Sequence, residues 1–244
     1  MRETIEILAG IIAVIFIFAP HEFAHAFVAY KCGDPTAKMA GRLSLNPLKH
    51  LDPAGFLLCA LTGFGWAKPV PINPMNFRKY RIGLFLTAIA GVAVNYIIAF
   101  LAYPLFLVVF LYAHPATEIA SYASQFGYLC FGYIFLYGLS IVVFNLLPLN
   151  PLDGFRVVES LTREINPVRR FLKNYGKYIL IALVLESYLC AMLERYTNLP
   201  YVQYFDILGF YLQYFAKRIL GFPITALWNV IYGLPFGYFP FVLV

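Results

Sequence analysis

The chain has 244 residues, 61% of them hydrophobic and 12% charged, with a mean hydropathy of +0.74, values that exclude an ordinary soluble domain. A net charge of +6 would suit a nucleic-acid binder, but the basic residues flank apolar runs and so report membrane topology, with no nucleic acid as partner. Four cysteines, Cys32, Cys59, Cys130 and Cys190, are scattered without paired spacing, which argues for free thiols over a disulfide framework or a cysteine metal site. The apolar runs recur along the whole chain, so a cleaved signal peptide does not account for them. The fold class expected is an all-α polytopic membrane protein with about five to six transmembrane helices.

The first span is expected from about Thr4 to Tyr30 and holds His21-Glu22-Phe23-Ala24-His25. On a helix, positions i and i+4 share a face, so both imidazoles can approach one metal ion. Glu22 then stands beside the first ligand, placed to act on water. The five-residue pattern is a weak signal by itself; its cost is what raises it. A Glu and two His within a lipid-spanning segment are expensive unless they line a polar cavity or pair with something, so two histidines merely satisfied by neighbouring helices is the lesser reading. Pro20 cannot donate to the Phe16 carbonyl, so the helix is expected to weaken or bend just before the motif.

The stretch 31–81 is rich in proline and basic residues. Its one apolar run, Ala54 to Trp66, is too short to cross and reads as re-entrant or interfacial. Arg42-Leu43-Ser44-Leu45-Asn46 alternates like a short strand whose open edge could pair with an extended peptide; a surface hairpin without a partner is the equal alternative. His50 is expected to shape this loop, not to bind metal, while Asp34 and Asp52, beside prolines, read as turn residues.

A second span is expected over about Ile82 to Tyr112, with a buried amide at Asn95 after Gly91. A loop with His114, Pro115 and Glu118 leads to a third span over about Ser121 to Leu147. Pro148 and Pro151 then force irregular backbone up to Asp153-Gly154, which is tolerated only where protein or a watery cavity surrounds it. Asn145 and Asn150 either hold Asp153 or cap that broken backbone; the second is preferred. A basic stretch, Arg156 to Lys177, is expected to be cytosolic, with a further span at about Tyr178 to Met192. Glu186 within that span requires a partner on a neighbouring helix, unless the span is less buried in lipid than drawn. The aromatic segment Pro200 to Leu220 would lie at the interface or span at a tilt, and the run from Phe222 to Val244 is a candidate last span.

Lysine and arginine concentrate in 31–81 and 156–177 and are absent from 113–120. The positive-inside rule therefore places both basic stretches in the cytosol and the N-terminus outside. His21, His25 and Asp153 then fall independently at the same depth, near the cytosolic side. Two neutral imidazoles and one carboxylate make a zinc site with its fourth position open, the catalytic arrangement. Zinc lowers the pKa of bound water to about 7, Glu22 would take the proton and hand it to a leaving amine, and the Asn95 amide could stabilise the oxyanion. Hydrolysis of an amide bond is the natural chemistry.

The run HEFAHAFVAYKCGDPTAKMAGRLSLNPLKHLDPAGF, the segment GWAKPVPINP at 65–74 and NLLPLNPLDG at 145–154 resemble the site-2 protease family of intramembrane zinc metalloproteases, in its compact bacterial and archaeal form without a regulatory domain. The resemblance covers about residues 1–160. It implies zinc ligands at His21, His25 and Asp153, one Zn2+ per chain, a catalytic Glu22, and a transition-state or substrate-positioning role for Asn95. It also implies a three-helix catalytic core with a re-entrant region over 42–66; the apolar runs of 161–244 are expected to add further membrane segments to a single membrane-embedded domain of 1–244. Transmembrane proteins in the bilayer would be the substrates, and a prokaryotic cell membrane the location. Val92 stands where the family usually carries proline, a change that bears on Asn95 through local helix geometry; Asn150 and Phe155 are further departures. None removes a ligand or the base. Two rivals remain: a metal transporter, which would need further ligand-type residues towards the outer face, and a silent scaffold, for which Glu22 has no use. Substrate identity, gating partner and oligomeric state are not written in these residues.

Overall fold

A computed structural model describes residues 2–55, 67–197 and 202–235. In a bilayer every backbone N–H and C=O must be bonded within the protein, so long apolar segments fold as helices. Helix α1 (Arg2–Cys32) runs unbroken through Pro20. One turn, α2 (Thr36–Met39), opens the loop region. Helices α3 (Tyr80–Tyr112) and α4 (Glu118–Asn145) follow, the latter capped where Thr117 accepts from the Ala120 N–H at 3.2 Å. Short α5 (Asp153–Leu161) leads to long α6 (Pro167–Thr197). Then α7 (Ile207–Gln213) continues through a π-helical segment (Tyr214–Gly221) into α8 (Phe222–Ile231). Among the described residues four helices, α1, α3, α4 and α6, are long and apolar enough to cross a membrane.

Helices α1, α3 and α4 pack on one another as the expected three-helix core. Lipid is as apolar as leucine, so helices associate in it by close van der Waals fit, and small residues make that fit possible. Ala13 and Ala99 are fully buried in the main apolar cluster, and a Cβ on Gly138 would sit 3.3 Å from the Ala99 methyl. Tyr103, Phe106, Phe135 and Leu139 fill the centre. Ile97, Leu101 and Leu105 of α3 point outward, as lipid-facing side chains should.

The C-terminal third departs from expectation in its boundaries. The basic stretch and the span are not separate elements: from Pro167 onward the stretch belongs to α6, the same helix as the span. The reason is a cap, because the Asn166 side chain accepts from the N–H groups of Val168 and Arg169 at 2.9 and 3.2 Å, with Pro167 supplying a first position that lacks an N–H. Of the apolar window of α6 only 11% is buried, so this helix stands apart from the core. Glu186 finds the partner it requires, accepting from the Ile207 N–H at 3.2 Å and so tying α6 to α7. The run 207–231 is roughly 35 Å long by helical rise and packs on the core, with Tyr103 Oη donating to Asn229 Oδ1 at 3.0 Å. Pro223 lacks a donor and crowds the carbonyl four residues back, which accounts for the widened π register just before it. Residues 236–244 of the candidate last span lie outside the described residues.

In the loop region, the strand expected at Arg42 to Asn46 is not formed. Gly41 turns the chain at φ +66°, and local bonds replace a ladder: Ser44 Oγ accepts from the Asn46 N–H at 3.2 Å and His50 Nε2 meets the Ser44 carbonyl at 2.6 Å. Such side-chain bonds compete with extended pairing. The antiparallel contact lies instead between Leu51 and Ala67, which brings the two ends of this stretch side by side. Residues 56–66, including Cys59 and most of the expected re-entrant run, lie outside the described residues.

Asp34 does more than make a turn. Fully buried, its carboxylate accepts from the Thr36 N–H and hydroxyl, the Asn73 N–H at 2.7 Å and the Asn76 amide at 2.8 Å, fastening the end of α1 to the far side of the loop. Burial alone would raise its pKa, yet these donors hold it below the ordinary carboxylate value. Asp34→Ala should therefore destabilise the fold by about 1–3 kcal/mol through stranded donors. Because the folded pKa is the lower one, the carboxylate's contribution is complete above the unfolded value of about 3.9 and is lost as pH falls through the folded value. Thermal unfolding in detergent should show a gap between wild type and Asp34→Ala at pH 7 that closes under acid.

Candidate metal centre

The helical spacing of His21 and His25 brings their rings edge to face, with centroids 4.6 Å apart and Nε2 atoms 3.0 Å apart. Asp153 arrives from the other side. Its Oδ2 lies 3.4 Å from His21 Nε2 and 3.1 Å from His25 Nε2. All three side chains are buried. One ligand-type atom from each falls within 4.8 Å of the others, and among the described residues this is the one such cluster.

Asp153 is delivered by the broken backbone that Pro148 and Pro151 impose. It is the first residue of α5, and a Cβ at Gly154 would overlap the carbonyls of Leu146 and Leu147, so only glycine lets α5 start against the end of α4. Asn145 and Asn150 do not hold Asp153. Asn145 donates to the Ile141 carbonyl at 3.1 Å in the last turn of α4, the backbone-capping role expected, whereas Asn150 reaches across to the Lys173 carbonyl of α6 at 3.1 Å. Arg156 comes within 3.8 Å of Asp153 Oδ1. Burial would push the Asp153 carboxyl up, but the charge and hydrogen bonds of the two histidines hold it well below the usual range.

Helix α3 forms the wall behind the histidines. His25 Nδ1 meets the Thr87 carbonyl at 2.7 Å, and the Asn95 amide meets His21 Nδ1 at 3.1 Å. Between them, a Cβ on Gly91 would fall 2.5 Å from His25 Nε2 and 2.7 Å from His21 Nδ1. Val92 leaves this geometry undisturbed, since α3 is one helix from Tyr80 to Tyr112. Glu22 Oε2 accepts from the Val70 N–H at 2.9 Å, a contact with the extended segment after the loop that the sequence did not foretell. His50 is apart from the cluster, in a small cavity with Ile15, Phe18 and Leu51.

The donor set fits one divalent ion that takes mixed nitrogen and oxygen ligands. Two imidazoles and a carboxylate suit Zn2+, whereas Ca2+ and Mg2+ prefer oxygen throughout. Three ligands leave one position for water or substrate, and the pocket at Gly91 keeps the rings unobstructed. Gly91→Ala would drive a methyl into both rings; its metal content should fall by at least tenfold at limiting zinc, measured by atomic absorption on purified protein.

With that geometry in view, comparison with known proteins is direct. The model of Peptidase family M50 matches residues 9–187. The chain is 46% identical over 151 residues to the protein named "Putative zinc metalloprotease YwhC" of Bacillus subtilis (strain 168), covering 62% of this chain and 68% of that one. It is 31% identical over 174 residues to "Putative zinc metalloprotease Rip2" of Mycolicibacterium smegmatis (strain ATCC 700084 / mc(2)155), covering 68% of this chain and 62% of that one. This chain thus spans less than two thirds of the mycobacterial relative. No solved structure matches. A family model that spans most of the chain, and a site built from the same motifs, lead to one statement: the chain belongs to peptidase family M50, the site-2 protease family.

Proposed function

We propose that this chain is an intramembrane zinc endopeptidase that hydrolyses peptide bonds within or beside the transmembrane segments of other membrane proteins. The observation that carries the reading is the convergence of His21, His25 and Asp153 inside a bundle of membrane-length helices, with Glu22 adjacent. The zinc named in both relatives is taken as the cofactor here, held by those three side chains. When bound, Zn2+ polarises a carbonyl and brings the pKa of a water ligand to about 7.

The protein's own groups do the rest. Glu22 receives the proton of the attacking water and returns it to the leaving nitrogen. The Val70 N–H fixes one carboxylate oxygen of Glu22, which restricts its rotation and leaves the other oxygen for the proton. The Asn95 side chain offers an N–H donor for the oxyanion that forms at the attacked carbonyl. Buried helix walls keep bulk water away, while His25 lies roughly 10 Å from the Cys32 end of α1 by helical rise, so the hydrated route is short. The lysine and arginine distribution supports a multi-pass arrangement with this end at the cytosol, and the bacterial relatives support a prokaryotic cell membrane. Residues 1–160 act as the catalytic unit, and 161–244 add membrane segments.

A transport site would need a path of further ligand groups; the described residues offer one such cluster. In a silent scaffold the carboxylate at position 22 would serve only to accept the Val70 N–H, and its place beside His21 would have no use. Glu22→Gln should keep zinc and lose about 10²–10⁴-fold in cleavage rate on purified single-span substrates in detergent. Equal cleavage by both proteins would remove Glu22 from the mechanism, and wild type without zinc would remove the metal.

A further inference from the structure

Thr87, Gly91 and Asn95 are spaced four residues apart on α3 and so share a face, and this face lies along the two histidines. A histidine that ligates metal through Nε2 carries its proton on Nδ1, and the partner of that N–H fixes the ring. For His25 the partner is the Thr87 carbonyl at 2.7 Å, which leaves Nε2 bare. Gly91 supplies the space. For His21 the group at Nδ1 is the side-chain amide of Asn95, 3.1 Å away and fully buried.

The orientation of that amide decides the state of His21. With Nδ2 donating to Nδ1, the ring proton would sit on Nε2, the atom beside His25 Nε2 and Asp153 Oδ2, and that nitrogen could not ligate. In this orientation Asn95 Oδ1 is also buried without a hydrogen-bond partner among the described residues. The oxygen and nitrogen of a carboxamide have nearly the same shape and are told apart by their partners. Turned about its terminal bond, the amide brings Oδ1 to the Nδ1–H. His21 then has the same tautomer as His25, and the NH2 is the group left free.

We propose that Asn95 is the positioning residue of His21: its Oδ1 accepts the Nδ1–H bond, holds Nε2 unprotonated and towards Asp153, and so sets the affinity of the metal centre. The freed NH2 is the donor available to substrate, so one amide serves ligand and oxyanion with opposite ends. This rests on the zinc reading above, and the test separates the two.

Zinc affinity is measured by chelator competition on the full chain in detergent, for wild type, Asn95→Ala and Asn95→Asp. The alanine variant should bind zinc about 10–100-fold more weakly. The aspartate variant, whose carboxylate can accept the same bond, should bind at least as tightly as wild type, a rescue that lost packing would not give. An alanine variant with wild-type affinity, or two variants weakened alike, would overturn the proposal. Wild type that binds no zinc would overturn the metal reading beneath it.

Discussion

Everything in this protein is arranged around the burial of two imidazoles and two carboxyl groups at membrane depth. Unpaired, such groups cost several kcal/mol each in an apolar setting. Here each has a partner: His25 the Thr87 carbonyl, His21 the Asn95 amide, Asp153 both rings, and Glu22 the Val70 N–H. No single element supplies them. Helix α1 carries the histidines and Glu22, α3 the backing, α5 the aspartate and the loop return the contact to Glu22, so the bundle must be assembled for the site to be tolerated at all.

That requirement explains where the fold uses glycine. Gly91 admits the rings against α3 and Gly154 lets α5 begin against the end of α4; both sit at close approaches of helix to site. The loop region is anchored in the same spirit. Asp34 binds the end of α1 to Asn73 and Asn76, and that clamp keeps the segment bearing Val70 over Glu22. A residue that looks like a turn former thereby supports the position of Glu22.

The site was legible in the sequence because its costs were. Two histidines four apart, a glutamate between them and an aspartate after broken backbone had few inexpensive explanations in an apolar chain, and the structure brings His21, His25 and Asp153 together. The spans of α1, α3 and α4 were equally plain from apolar length, while their joining as a core was implied by the family resemblance. The start of α6 was misplaced although the signal was present, since Asn166-Pro167 is a capping pair that periodicity alone overlooks. The short strand at Arg42 to Asn46 failed because alternation over five residues says nothing about competing side-chain bonds. The contacts of Glu22 with Val70 and of Asp34 with Asn73 join residues far apart in the chain, and no local pattern announces them.

The central claim is that one zinc ion is held by His21, His25 and Asp153. X-ray absorption at the zinc edge, on the full chain loaded with one equivalent, tests it most directly. The account predicts two imidazole ligands completed by oxygen, with no sulfur, and loss of the oxygen-bound species in Asp153→Ala. A sulfur ligand from any of the cysteines, or a third imidazole from His50 or His114, would contradict it.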